Sequence, residues 1–93
     1  MKDQLKEIIN YYGIDKQLKY IHSEYFELDE AILNYYNPED IRFNKGNIAG
    51  ELADIMVMLK QFQYYFDIDD KQIEDIMKFK IDRQLERIKN EEK

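Results

Sequence analysis

Residues 18–35, LKYIHSEYFELDEAILNY, decide how the chain is read. Leu18, Ile21, Tyr25, Leu28, Ile32 and Tyr35 alternate by threes and fours, the spacing of one face of an α-helix. Within those turns lies His22-Ser23-Glu24-Tyr25-Phe26-Glu27-Leu28, and a later apolar stretch, Glu51-Leu52-Ala53-Asp54, answers it. Each stretch sets two carboxylates three residues apart, hence on one side of a helix. Like charges that close repel, and beside a core they are also partly desolvated. At about 100° per residue, Glu24 falls about 80° to one side of the apolar stripe and Glu27 further round the same way.

Working outward, residues 2–12 carry Leu5, Ile8, Ile9 and Tyr12, which predicts a short amphipathic helix. Gly13 suits its C-terminal cap, because a residue without Cβ adopts positive φ freely. Asp15 is the expected N-cap of the second helix, which runs to Tyr35. Residues 34–40 hold the single proline, Pro38, and several turn formers, and read as the clearest loop. A third helix is expected from Asn44 or Lys45 to Phe66, with the stripe Ile48, Leu52, Ile55, Leu59, Phe62 and Phe66. Glu51 lies about 65° off that stripe and Asp54 further off, in the same rotational sense as on the second helix. Met58 and Tyr65 share the acidic shoulder, so a second apolar surface is expected to cover it. Asp69, with Gln72 three residues on, predicts a capped start for a last helix over residues 70–90. That helix carries the densest basic cluster, Lys78, Lys80, Arg83 and Arg87, and its end at residues 89–93 reads as fraying. The prediction is an all-α bundle of one short and three long helices, forming one domain over residues 1–93.

Composition agrees with that outline. The chain is 44% hydrophobic and 14% aromatic, with three Gly and one Pro, which suits a few long helices rather than many turns. It has no cysteine, so neither a disulfide framework nor a thiolate metal site is available. The start lacks an apolar signal region and no apolar run approaches the length of a membrane span, so a cytoplasmic protein is expected. A net charge of −6 argues against a nucleic-acid backbone as partner. It leaves room for a phosphorylated small molecule if a divalent cation stands between carboxylates and phosphates. Ninety-three residues with apolar groups on two faces predict a homodimer or homotetramer.

For Glu24, Glu27, Glu51 and Asp54 the plain reading is solvated surface charge. The competing reading is a cation site: hard oxygen donors suit Mg²⁺, with Mn²⁺ as a substitute, and facing helices of a bundle can supply them. His22 reads as an ordinary structural or surface side chain, and no set for covalent nucleophilic catalysis can be assembled. Residues 67–71 have some acids of a calcium loop, but Lys71 and the missing sixth-position glycine defeat it. The Lys80, Arg83, Arg87 row is either a solvated face or a set of phosphate contacts. Tyr11, Tyr12, Tyr20, Tyr64 and Tyr65 exceed what a small core needs and suit a subunit interface better than a base pocket. Gln17, before Glu24 on the acidic side, is a candidate for base or sugar contact.

Ser23-Glu24-Tyr25-Phe26-Glu27-Leu28, followed after a 23-residue spacer (28–50) by Glu51-Leu52-Ala53-Asp54-Ile55, resembles the MazG-like branch of the all-α nucleoside triphosphate pyrophosphatases. That family's pattern is Glu-Glu-x-x-Glu, a spacer, then Glu-x-x-Asp, and the resemblance extends over residues 14–87. It implies that Glu24, Glu27, Glu51 and Asp54 ligate Mg²⁺ and that Lys80 and Arg83 lie near the phosphates. Ser23 departs from the pattern by standing where the first Glu usually is, which removes one charge from the site. The activity implied is Mg²⁺-dependent hydrolysis of a nucleoside triphosphate to the monophosphate and pyrophosphate, in oligomers whose sites are often completed by a neighbouring subunit. A phosphoribosyl-ATP pyrophosphatase is an alternative, although Ile55-Met56-Val57-Met58 lacks the histidine expected after its acidic motif. A pyrimidine dNTP pyrophosphatase of the same superfamily is a second, and a non-catalytic helical oligomerisation or regulatory module a third.

Overall fold

The computed structural model describes residues 1–35 and 45–91. Within them the chain forms four helices: α1 (Lys2–Tyr12), α2 (Ile14–Tyr35), α3 (Lys45–Tyr65) and α4 (Asp70–Glu91). The loop expected around Pro38 lies, from residue 36 on, outside the described residues, as does the expected helix start at Asn44. No helix of the described residues is long and apolar enough to cross a membrane.

Gly13 ends α1 at φ 89°, and its N–H donates to the Ile9 carbonyl at 2.8 Å. Its own carbonyl accepts from Gln17 N–H at 3.2 Å, so the same residue opens α2. The expected cap at Asp15 is therefore displaced: Asp15 lies in the first turn of α2, where its charge suits the positive end of the helix dipole.

α3 ends in a Schellman arrangement. Asp67 N–H donates to Tyr64 O at 3.1 Å, Ile68 N–H donates to Gln63 O at 3.1 Å, and Asp67 takes the left-handed φ of 56°. Asp69 then caps α4 as expected, its Oδ1 accepting from Gln72 N–H at 2.8 Å. Asp70 fixes the elbow. It accepts from Lys60 Nζ at 2.7 Å, Gln63 Nε2 at 2.8 Å and Tyr64 Oη at 2.9 Å. These bonds, the Lys60 one foremost, hold its carboxyl down to about 2.

α2 and α3 make the principal contact, and α1 lies against both. The enclosed side chains are few: Leu5 and Ile9 of α1, Ala31 of α2, and Met58 and Tyr64 of α3. The stripes legible in the sequence are packed along one edge only. Ile21, Leu28 and Tyr35 of α2 and Ile48, Ile55 and Phe62 of α3 are half-buried, whereas Leu18, Tyr25 and Ile32 of α2, Leu52 and Leu59 of α3, and Phe66 just beyond it are exposed. On α2 the buried residues are Gln17, Glu24 and Ala31, and on α3 Met58 and Gln61 continue the 3-4 spacing of Glu51 and Asp54. The α2–α3 seam thus lies between the acidic shoulder and the near half of each apolar stripe, and the far half of each stripe faces outward. Among the described residues, α1, 11 residues long, is the one further helix packed against the α2–α3 pair.

α4 contacts none of α1, α2 and α3 beyond its anchored start, and none of its residues is buried. The radius of gyration is accordingly 16.8 Å, against about 12 Å for a compact chain of this length.

Candidate functional site

The seam delivers three carboxylates to one place. Glu24 of α2 and Glu51 and Asp54 of α3 each offer an oxygen within 4.8 Å of the others. Glu24 is 6% exposed, and both Glu24 Oε2 and Glu51 Oε2 are buried without a hydrogen-bond partner. A buried carboxylate oxygen ordinarily has a donor, and leaving one without costs about 1–3 kcal/mol. Two such atoms in one cluster form a site with a deficit of positive charge. An octahedral Mg²⁺ lies 2.0–2.1 Å from each ligand, so its ligands stand roughly 3–4 Å apart, and the three oxygens here lie within 4.8 Å of one another. The residues present thus fit a hard divalent cation in number, donor type and spacing.

The electrostatics carry the same imprint. Burial, then the charges of Glu27, Asp54 and Glu24, push the Glu51 carboxyl above its ordinary range. The Tyr20 hydroxyl is raised as well, first by its hydrogen bond to Glu24 and then by that carboxylate's charge. Glu27 is exposed at the rim, and its hydrogen bond to Glu51 also raises that group.

A cavity of about 410 Å³ opens from the cluster, sharing Glu24 and Asp54 with it. Tyr12, Lys16, Tyr20 and Val57 also line it, and Gln17, Met58 and Gln61 form a buried polar wall. Lys16 brings a positive charge to the lining, with its ammonium 5.1 Å from the centre of the Tyr12 ring.

Of the residues singled out from the sequence, the structure brings together Glu24, Glu51 and Asp54, places Glu27 beside them, and sets Gln17 on the wall of the adjoining cavity. It does not bring Lys80 and Arg83 to the cluster within this chain, because both are exposed on α4. His22 and Ser23 are exposed on α2. Sequence reading passed over Lys16, Met58 and Gln61 as site residues. A signal for two of them was there: Glu51, Asp54, Met58 and Gln61 follow 3-4-3 spacing and therefore share a helix face.

Comparison with protein-family models, with curated proteins and with solved structures finds no match to this chain.

Proposed function

We propose that the chain is a Mg²⁺-dependent nucleoside triphosphate pyrophosphohydrolase, converting a nucleoside triphosphate and water to the monophosphate and pyrophosphate. The observation that carries this reading is the convergence of Glu24, Glu51 and Asp54 with two buried, unpartnered carboxylate oxygens beside a ligand-sized cavity. The MazG-like motif resemblance supplies the reaction class.

Glu24, Glu51 and Asp54 would hold the cation, with Glu27 beside them at the rim. The bound cation would offset the charge that develops on phosphate oxygens. Water attacks the α-phosphorus, the bond from that phosphorus to the bridging oxygen breaks, and pyrophosphate leaves with the bridging oxygen. Glu27, exposed at the rim beside Glu51, would take the proton of the attacking water. The cavity receives the nucleoside, with Gln17 contacting the base or sugar.

Lys80 and Arg83 reach a phosphate only from another copy's α4. The reading therefore includes a homodimer or homotetramer, supported by the exposed Ile76, Met77, Phe79, Ile81, Leu85 and Ile88 of that helix. The test is pyrophosphate release from a nucleotide panel with Mg²⁺. Release that falls at least about a hundredfold on Glu51→Gln is expected, in line with losing a major electrostatic contact. No release from any nucleotide, or undiminished release by the variant, overturns the assignment. The same panel separates phosphoribosyl-ATP and pyrimidine dNTP preferences.

The bare apolar face of α4 favours a second reading, a non-catalytic helical oligomerisation module. Under that reading the chain assembles but binds neither Mg²⁺ nor Mn²⁺.

A further inference from the structure

We infer that the amide-lined wall of the cavity is a base subsite that favours nucleobases with an exocyclic amino group over those carrying a carbonyl in its place. This inference rests on the nucleotide reading above and adds the class of base. Gln17 and Gln61 line the cavity and are 6% and 2% exposed. Gln17 Nε2 donates to Gln61 Oε1 at 2.8 Å. Both amide nitrogens also face one sulfur, Met58 Sδ, at 4.0 Å from Gln17 and 3.8 Å from Gln61.

A thioether sulfur carries no proton and can only accept, so it orients both amides with nitrogen inward. Turning the Gln61 amide over would set its oxygen against the sulfur lone pairs and its NH₂ against that of Gln17. Turning Gln17 over would set two carbonyl oxygens face to face. Turning both over would keep a Gln61-to-Gln17 bond but set both amide oxygens against the sulfur, so Met58 is what selects the direction from Gln17 to Gln61 to Met58. Both hydrogens of the Gln17 amide are directed at Gln61 and Met58, so Oε1 is the Gln17 atom left to meet a ligand in the cavity. That group accepts and does not donate.

The partner of that acceptor must be a donor. An exocyclic amino group, as in cytosine or adenine, projects a free N–H from the ring edge. The corresponding carbonyl of uracil or hypoxanthine would meet Gln17 Oε1 lone pair to lone pair. Uracil N3–H, flanked by two carbonyls, approaches such an acceptor only at the cost of that repulsion. Tyr12, Tyr20 and Val57 supply flat and apolar surface for the ring itself.

The experiment compares kcat/KM for pyrophosphate release, with Mg²⁺, within two pairs of nearly equal size: CTP against UTP, and ATP against ITP. One hydrogen bond gained against one repulsion predicts that the amino member is favoured by about three- to tenfold in each pair the enzyme accepts. Met58→Leu, which removes the orienting sulfur, and Gln61→Leu, which removes the relay, are expected to bring the ratio towards one. Mn²⁺ binding reports that each variant is folded at the acidic cluster. A ratio of one or below in the wild type, or a ratio unchanged in a folded Met58→Leu, overturns the base preference and leaves the pyrophosphatase reading standing. Absence of both binding and release for all four nucleotides overturns that reading and the base subsite with it.

Discussion

The carboxylate of Glu51 has one oxygen buried without a partner and shares its surroundings with Glu24, Glu27 and Asp54. Its pKa is raised on folding, so it stabilises the fold only when protonated. That contribution is present below the ordinary Glu range and is lost as pH rises through the raised value. At neutral pH, without a cation, Glu51 therefore works against the fold. Glu51→Gln keeps the shape and removes the charge, and is expected to raise the melting temperature of the cation-free protein at neutral pH. The gain is about 1 kcal/mol, or roughly 4–8 °C for a domain of this size. The wild-type protein is expected to gain stability as pH falls from neutral into the mildly acidic range, and the variant to gain less. Calorimetric scans across pH check both, and a variant less stable than wild type at neutral pH contradicts the account. Ile9, 1% exposed between α1 and its neighbours, is the opposite kind of residue: it contributes only packing. Ile9→Ala is expected to cost about 3 kcal/mol in a denaturant titration, a large share of the stability of so small a core.

At the scale of the element, the helices were legible because their ends are written in local chemistry. Gly13 needs positive φ, Asp69 caps the Gln72 N–H, and the expected limits of α1, α2 and α4 match to within a residue. Which edge of each stripe packs was not legible: Ile21, Leu28, Tyr35, Ile48, Ile55 and Phe62 are half-buried, and the rest of each stripe lies further out. Hydrophobic period identifies an apolar stripe but not the surface that covers it, and here the covered face of α2 is the one bearing Gln17, Glu24 and Ala31. Leu18, Tyr25 and Ile32 are apolar without being core within this chain. The elbow before α4 also escaped sequence reading, because it depends on Lys60, Gln63 and Tyr64 converging on Asp70 from the preceding helix. Asp70→Asn is expected to loosen it and speed hydrogen exchange of the first turn of α4, leaving the α2–α3 seam unchanged. The Asp70 carboxyl is lowered to about 2, so its contribution is present above the ordinary Asp range and is lost as pH falls towards 2. Exchange in that turn that is indifferent to the substitution contradicts the tether.

For the whole molecule, α4 extends from its anchor and exposes Met77, Ile81, Leu85 and Ile88 along one side, while α2 exposes Leu18, Tyr25, Phe26, Ile32 and Leu33. These are the surfaces on which the proposed homodimer or homotetramer would be joined. Analytical ultracentrifugation is expected to find a dimer or tetramer, and Ile81→Glu is expected to shift it towards monomer by placing a charge in the contact. A wild-type monomer at micromolar concentration contradicts this. The central claim remains the cation at the seam, and titration calorimetry with Mn²⁺ in place of Mg²⁺ tests it most directly. Wild-type protein is expected to bind the ion saturably, and Glu51→Gln and Asp54→Asn to lose that heat while retaining their helical content. No saturable binding by the wild type, or equal binding by folded variants, would contradict the account.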